Sequence, residues 1–389
     1  MMTSYSHDKD RYHGFEQGPI RPPSEAHSLL VRVTRNCPWN HCSFCPVYKG
    51  ARFSVRPEAH VIDDIDAVYE HAERLRGLVD GSGQILRQEI TALMQDLVPH
   101  DRQAFGAALN WFAGGMTSIF LQDANSLVVK PDRLIRILEH LRLRFPRVER
   151  ITSYARSHTI ARISDDNLKL MHEAGLNRIH IGLESGSDAV LKRVRKGVNK
   201  MAQIKAGRKV KKAGMQLSEY VMPGLGGKDL SRDHALETAD ALNRIDPDFI
   251  RLRTLAIPGG IPLAEAYRAG SFVKLNDVET VREIRLFIAS LDGITSMIVS
   301  DHILNLFEGV KGRFPEAKTD ILAVLDRFLS LSPRERVHFQ VGRRLGIFTH
   351  MADMNDPKRR ARVDGFCTQH GIGPDNVDGM IDEMMKRFI

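Results

Sequence analysis

Residues 28–45 read SLLVRVTRNCPWNHCSFC. Residues 28–34 are rich in aliphatic and β-branched side chains, which predicts a short buried strand. Three cysteines, Cys37, Cys42 and Cys45, follow that strand within nine residues. Parallel α/β proteins place their active sites on the loops that follow their strands. The segment therefore predicts a thiolate-based site at the end of the first strand.

Strand and helix patterns alternate after the cysteines. Further strands are predicted at 117–122, 150–155, 178–183, 216–222 and 249–255. Helices are predicted at 59–79, 133–143, 165–174 and 232–244, where apolar residues recur at helical spacing. Such alternation favours a parallel sheet with right-handed crossovers. The predicted fold class is α/β, a partial or full parallel (β/α) barrel with a helical C-terminal region.

Three regions are expected along the chain. Residues 1–27, with several prolines, are expected to form an N-terminal extension. Residues 28–262 are expected to form the barrel, with a helical insertion at about 80–113. From residue 263 the strand signals fade, so 263–389 is expected to be helical. Asp301, His302 and Asn305 are expected to begin a helix there, either closing a pocket or capping the helix.

Composition limits the classes of function. The net charge is +8, which suits an anionic partner, although Lys and Arg scattered over solvated surfaces would give the same total. The sequence has no run of 18 apolar residues, so no membrane contact is expected. The first 21 residues lack the apolar core of a secretory signal. A cytoplasmic protein is therefore expected.

The cysteine spacing indicates a metal centre rather than disulfides. Three of the four cysteines are clustered, whereas a secreted disulfide framework would be spread along the chain. Soft thiolates favour iron–sulfur clusters, and three cysteines leave one of four irons open for catalysis. The alternative is structural zinc with His41 or Cys367 as fourth ligand, but the second ligand pair typical of zinc knuckles is absent. Cys367 is expected to be a buried free thiol.

The pattern C-x4-C-x2-C, with Phe44 before its last cysteine, resembles the signature of the radical S-adenosylmethionine (SAM) superfamily, usually one residue shorter. Residues 181–187 (IGLESGS), 222–225 (MPGL) and 257–262 (IPGGIP) resemble later motifs of one branch. That branch contains oxygen-independent coproporphyrinogen oxidase, the tRNA methylthiotransferases and the Elongator catalytic subunit. The resemblance covers about residues 28–262.

The resemblance implies an oxygen-sensitive 4Fe–4S cluster held by the three clustered cysteines, with SAM bound at the open iron. Reductive cleavage of SAM would give a 5′-deoxyadenosyl radical that abstracts a substrate hydrogen. The implied SAM-binding residues are Gln122, Asp123, Ser153, Arg156, Glu184, Ser185 and Lys196. Among these, Asp123 would accept from the SAM ammonium, Glu184 would bind the ribose and Lys196 would meet the carboxylate. A structural ion pair remains the alternative for Arg156 and Glu184.

Two arginines suggest the nature of the substrate. Strand alternation places Arg251 and Arg253 on one face, and buried arginines are rare unless paired. They are predicted to bind a carboxylate or phosphate of the substrate. The alternative is that they pair with a carboxylate of the barrel such as Glu219.

The sequence therefore favours a radical SAM enzyme acting on an anionic small molecule. Its expected partners are SAM, that substrate and an electron donor such as flavodoxin or ferredoxin. An RNA-modifying radical SAM enzyme is one alternative. A non-enzymatic, zinc-containing nucleic-acid-binding protein is the other, although nucleic acid is not the favoured partner.

Overall fold

The computed structural model describes residues 11–385, which divide into two compact units. The first unit contains the chain up to Pro38, then Val47–His180 and Lys209–Gln216. The second contains Trp39–Pro46, Ile181–Arg208 and the chain from Leu217 onward. The cysteine segment is therefore shared, since Cys37 belongs to the first unit and Cys42 and Cys45 to the second.

The first unit is built on parallel strands. Its strands are β1 (Leu29–Arg32), β2 (Thr34–Arg35), β3 (Ser54–Val55), β4 (Ser118–Gln122) and β5 (Arg150–Ala155), and β6 (Leu176–Glu184) begins in this unit. Strands β1, β4 and β5 pair in parallel, with Val31 opposite Leu121 and Leu121 opposite Ser153. Strands β2 and β3 form a small antiparallel pair. The carboxyl ends of the parallel strands therefore meet at one edge.

Helices cover this sheet. They are α1 (Glu58–Gly77), α2 (Arg87–Gln95), α3 (Arg102–Ala113), α4 (Pro131–Arg144), α5 (Ser157–Ile160) and α6 (Asp165–Glu173). The buried face of α1 carries Val61, Ile65, Val68 and Leu75 at helical spacing. Helix α1 packs on α3 and α4. Helices α2 and α3 lie within the segment 80–113, where a helical insertion is predicted.

In the second unit the sheet continues the βα alternation. Its strands are β7 (Gln216–Val221), β8 (Phe249–Leu252), β9 (Met297–Val299) and β10 (Gly312–Arg313). Strands β7, β8 and β9 are parallel, and β10 is antiparallel to β9. The helices are α7 (Asp188–Arg193), α8 (Lys200–Lys212), α9 (Gly227–Ile245), α10 (Pro262–Arg268), α11 (Asp277–Ser290), α12 (Lys318–Ser330), α13 (Pro333–Arg344), α14 (Pro357–Gln369) and α15 (Val377–Met385). The predicted α/β class with a mostly parallel sheet is confirmed.

The region after residue 263 differs from expectation. It is mostly helical, but β9 and β10 extend the sheet of the second unit. These strands have three and two residues, too short for an alternating pattern to stand out. The helix expected at Asp301 is also absent, since residues 301–310 form turns. Asn305 is buried there and bonds Thr254 and the carbonyl of Leu252.

Across residues 11–385, none of the helices combines the length and apolar character that a membrane crossing requires.

Candidate cofactor site

The start of the cysteine segment is held by a buried carboxylate at the end of β4. Asp123 Oδ2 accepts a 2.9 Å hydrogen bond from the backbone N–H of Asn36, the residue before Cys37. The same oxygen accepts from Arg32 Nε and Nη2 at 2.8 and 2.6 Å, and Arg32 also pairs with Glu16. Asn36 has a positive φ of 67°, which asparagine tolerates better than most residues. Asp123 therefore ties the first residues of the loop to the sheet.

Gln122, predicted to contact SAM, is fully buried. Its amide oxygen accepts from the N–H of Gly18 at 2.8 Å, and its amide nitrogen donates to the carbonyls of Gly18 and Ile20. These bonds use both ends of the amide. The side chain thus anchors the N-terminal segment to β4, a contact that no sequence pattern signals.

Ser153 and Arg156 lie near the end of β5. Ser153 is buried and donates to the carbonyl of Tyr154 at 3.1 Å. The backbone N–H of Arg156 donates to Asn125 Oδ1 at 3.1 Å, and Asn125 also donates to Thr159. Asn125 therefore joins the chain after β4 to the chain after β5 and fixes the backbone that carries the Arg156 guanidinium.

In the second unit, the later part of the cysteine segment packs on an apolar core. Phe44 is buried among apolar side chains that include Val194 and Leu263, and Cys42 and Cys45 pack against this cluster. Ser43 fixes the backbone, since its N–H donates to the Val194 carbonyl at 2.9 Å and its carbonyl accepts from the Leu263 N–H at 3.1 Å. The two thiols thus lie at the edge of an apolar core.

A carboxylate and an ammonium meet beside this loop. Lys196 Nζ lies 3.0 Å from Glu184 Oε1, and both side chains are about one-eighth exposed. The ammonium also lies 5.8 Å from the ring centroid of Phe44. A Cβ atom on Gly182 would overlap Glu184 Oε1, so a glycine is required for this arrangement. The predicted ribose and carboxylate ligands are therefore brought together.

Ser185 shapes the turn after β6. It is fully buried, its hydroxyl lies 2.8 Å from His234 Nδ1, and it accepts from the N–H of Ser187 at 3.0 Å. His234 Nε2 lies 3.1 Å from the carbonyl of Met222. His234, which sequence reasoning missed, thereby links the loops that follow β6 and β7.

Glu219 on β7 is fully buried, and neither of its carboxyl oxygens has a hydrogen-bond partner within residues 11–385. Burial raises its pKa well above that of an ordinary glutamate, opposed by the charge of Lys196 and reinforced by that of Glu184. Burial at this position therefore favours the neutral form of Glu219. The only sequence signal was a glutamate within a run of strand-forming residues.

The two arginines of the substrate prediction differ in environment. Arg251 is buried, donates to Ser218 Oγ at 3.2 Å and pairs with Asp301 at 2.9 Å. The acid that pairs with Arg251 is thus Asp301 and not Glu219. Arg253 is exposed. A histidine nearby is affected by Arg253. The burial of His302 itself, and then the charge of Arg253, lower the pKa of His302 to about 4.

The thiols are chemically suited to an iron–sulfur cluster. Cys37, Cys42 and Cys45 form no disulfide among residues 11–385 and are partly exposed, whereas Cys367 is a buried free thiol, as predicted. Among residues 11–385, no three or more His, Cys, Asp or Glu side chains are arranged around a single metal ion. A 4Fe–4S cluster does not require its ligands to surround a single ion, because each thiolate binds its own iron. Three clustered thiols, two of them bordered by apolar packing, fit such a group.

Residues 31–241, more than half of the chain, match the radical SAM superfamily. The chain belongs to the radical SAM superfamily. It is therefore an enzyme that uses a 4Fe–4S cluster and SAM, and the alternative of a non-enzymatic zinc protein is wrong. The mostly parallel sheet of the two units agrees with this assignment.

One segment is 25% identical over 122 residues to the tRNA uridine(34) acetyltransferase of Methanocaldococcus infernus (strain DSM 11812 / JCM 15783 / ME). This match covers 31% of the chain and 23% of that protein, so the chain spans about a quarter of the curated relative.

Two solved structures match parts of this chain. The Elp3 of Methanocaldococcus infernus, with its N-terminus deleted, has a TM-score of 0.40 and 16% identity, covering 54% of this chain and 53% of that one. Coproporphyrinogen III oxidase (HemN) from Escherichia coli, a radical SAM enzyme, has a TM-score of 0.43 and 14% identity, covering 67% and 51%. This chain thus spans about half of each.

Proposed function

We propose that Cys37, Cys42 and Cys45 hold the 4Fe–4S cluster and that the enzyme cleaves SAM reductively. With SAM bound, the cluster supplies the one-electron chemistry that yields methionine and a 5′-deoxyadenosyl radical able to take hydrogen from a substrate. The cysteine spacing supports this role, as does the burial of Phe44, which anchors Cys42 and Cys45 against an apolar core. That core also helps to keep water from the reacting atoms.

The observation that carries the proposal is the pairing of Glu184 with Lys196 beside the Phe44 ring. Glu184 can accept hydrogen bonds from a ribose diol, and Lys196 can pair with a carboxylate. Each group balances the other's charge until SAM binds. Ser185 then acts on SAM indirectly, by fixing the turn after Glu184.

Four residues of the first unit complete the proposed SAM site. Gln122 and Asp123 are positioning residues in this proposal, because their hydrogen bonds hold the N-terminal segment and the start of the cysteine loop. Ser153 and Arg156 are proposed to contact the ribose or methionine of SAM. Asn125 holds the backbone of Arg156 for that contact.

The substrate is proposed to be a small anionic molecule, bound by Arg253. The exposed guanidinium of Arg253 is available to a carboxylate or phosphate. Arg251 is partly neutralised by Asp301 and is better suited to shaping that surface. Accordingly, Arg253→Ala should weaken substrate binding more than Arg251→Ala. If both variants keep the wild-type affinity for the substrate, Arg253 does not bind it.

The direct test is anaerobic reconstitution with iron and sulfide, reduction with dithionite and measurement of 5′-deoxyadenosine. Wild-type protein should be brown and should convert SAM to 5′-deoxyadenosine. Cys37→Ala, Cys42→Ala and Cys45→Ala should each abolish that product, whereas Cys367→Ala should retain it. Product formation that survives loss of any loop cysteine would reject the ligand assignment.

RNA modification is the second candidate. It is favoured by the matching segment of a tRNA uridine(34) acetyltransferase and by the net charge of +8. Retention of tRNA through purification, together with SAM cleavage stimulated by added tRNA, would support it. Cleavage that is indifferent to tRNA would favour the small-molecule substrate.

A further inference from the structure

A groove of about 430 Å³ borders the cysteine loop within the second unit. One wall is the indole of Trp39, which stands between Cys37 and Cys42 in the sequence. The rest of the lining comes from α7 and the segment that follows it, including Lys192, Arg195 and Gly197. The groove is therefore lined in part by a residue of the loop that carries the proposed cluster ligands.

The indole is held firmly in this wall. Trp39 Nε1 donates to the backbone carbonyl of Arg195 at 2.8 Å. Gly197 has a positive φ of 70°, and a Cβ atom there would overlap the indole ring. The lack of a side chain at Gly197 thus lets the indole ring pack closely against the backbone there.

The charge on the groove is unbalanced. Lys192 and Arg195 are exposed, and neither forms an ion pair within residues 11–385. Neighbouring cations differ, since Arg193 pairs with Asp229, Lys196 with Glu184, and Lys200 with Glu237 and Asp240. The acid on the groove, Asp188, accepts a 2.7 Å hydrogen bond from the N–H of Lys200. The two basic side chains of the groove therefore outnumber its one acid, Asp188, and form no ion pair among residues 11–385.

We propose that this groove docks an acidic one-electron carrier protein of the flavodoxin or ferredoxin class. The inference rests on the proposed function, which requires one electron for each SAM cleaved. The reduced carrier loses one electron, the cluster gains it, and no proton or group is transferred. Redox partners form small, transient interfaces in which opposite charges steer the encounter. Lys192 and Arg195 supply that steering, and Trp39 provides the apolar contact.

RNA fits this surface less well. A nucleic-acid surface follows the phosphate chain with many Lys and Arg side chains and several stacking rings. The groove offers two unpaired cations and one indole, with the acid Asp188 on its rim. An acidic carrier with a compact charged patch is the better complement.

The test is a binding titration on reconstituted holoenzyme, with an oxidised flavodoxin and an oxidised ferredoxin as probes. The double variant Lys192→Glu/Arg195→Glu should weaken binding of the cognate carrier by about tenfold or more, because like charges then face each other. Added salt should weaken the wild-type complex and should not weaken the variant's, because it screens the repulsion between like charges. Lys205→Glu/Arg282→Glu makes the same change in net charge at exposed positions outside the groove and should bind like wild type.

Catalytic assays separate this inference from the proposed function. Dithionite needs no docking surface, so the double variant should make 5′-deoxyadenosine at the wild-type rate with dithionite and more slowly with the reduced carrier. Failure of the wild type with dithionite would reject the proposed function, while the titration would still test docking. The docking proposal is overturned if neither probe binds wild type in a salt-sensitive way, or if both double variants bind alike. It is also overturned if the groove variant loses tRNA binding but keeps its affinity for the carrier.

Discussion

Asp123 Oδ2 accepts a 2.9 Å hydrogen bond from the backbone N–H of Asn36, and the same oxygen accepts two more from the guanidinium of Arg32. One buried carboxylate therefore joins strand β1, strand β4 and the first residue before the cysteine loop. The geometry of Cys37 depends on a residue 86 positions away in the sequence, a relationship that local patterns do not reveal.

Asp123→Asn should destabilise the protein by about 2 kcal/mol, because it removes the charge that Arg32 and Asn36 share. Urea denaturation measures this loss, and iron content after reconstitution should fall with it. Asp132→Asn is the control, since Asp132 is exposed and, among residues 11–385, its ion pair is with Arg136, one helical turn away. If the two variants unfold at the same urea concentration, Asp123 does not hold the loop.

Gly182→Ala should weaken SAM binding by about tenfold, the equivalent of one charged hydrogen bond. The added Cβ would displace the Glu184 carboxylate from Lys196. Stability should change little, because only the end of a flexible side chain must move. Equilibrium dialysis with labelled SAM measures the effect. Gly106→Ala, in open space on α3, should leave SAM affinity intact and stabilise its helix by up to about 1 kcal/mol.

Glu219→Gln should remove a pH dependence of stability. Because burial raises the folded-state pKa of Glu219, the native protein keeps a proton that the unfolded chain loses. This contribution to stability is full below the unfolded pKa and is lost as pH rises toward the folded pKa. Wild type should therefore lose stability across that window while the variant does not. Glu265→Gln, at an exposed position, should behave like wild type, and identical profiles for all three proteins would contradict the assignment.

His302 should stay neutral until strongly acidic pH, because burial and then the charge of Arg253 lower its pKa from 6.5 to about 4. Its contribution to stability is present above pH 6.5 and is lost as pH falls toward 4. Arg253→Met should raise the pKa of His302, and Asp301→Asn should lower it further. NMR titration of the imidazole C–H signal measures both shifts. Shifts of the same sign would mean that these charges do not face His302.

Regular elements and the cysteine loop were predictable because their signals are local. The strand predicted at 150–155 matches β5, and the helices predicted at 59–79 and 165–174 match α1 and α6 within a residue or two. The start of α9 was placed five residues late, at 232 instead of Gly227. Gly226 and Gly227 suggest a helix stop, but Gly227 begins α9 in a positive-φ conformation packed against Phe272.

Partners far apart in sequence were not predictable. Gln122 and Ser185 have the residue types of cofactor ligands, yet their polar atoms bond Gly18 and His234. For Glu184 the sequence predicts ribose binding, with a structural ion pair to an unnamed partner as the alternative. The structure pairs it with Lys196, and the proposed function includes both roles. Long-range contacts of this kind depend on register and loop paths that the pattern of residue types does not fix.

Cys367 lies within α14, only 6% exposed, and burial raises the pKa of its thiol. A thiol that stays protonated and covered reacts slowly with disulfide reagents. Rapid thiol titration of the native protein should therefore report the cysteine loop alone: three reactive groups when it is empty and none when a cluster occupies it. Because the buried fourth cysteine does not react, the number of reactive thiols directly measures the fraction of a preparation that lacks a cluster.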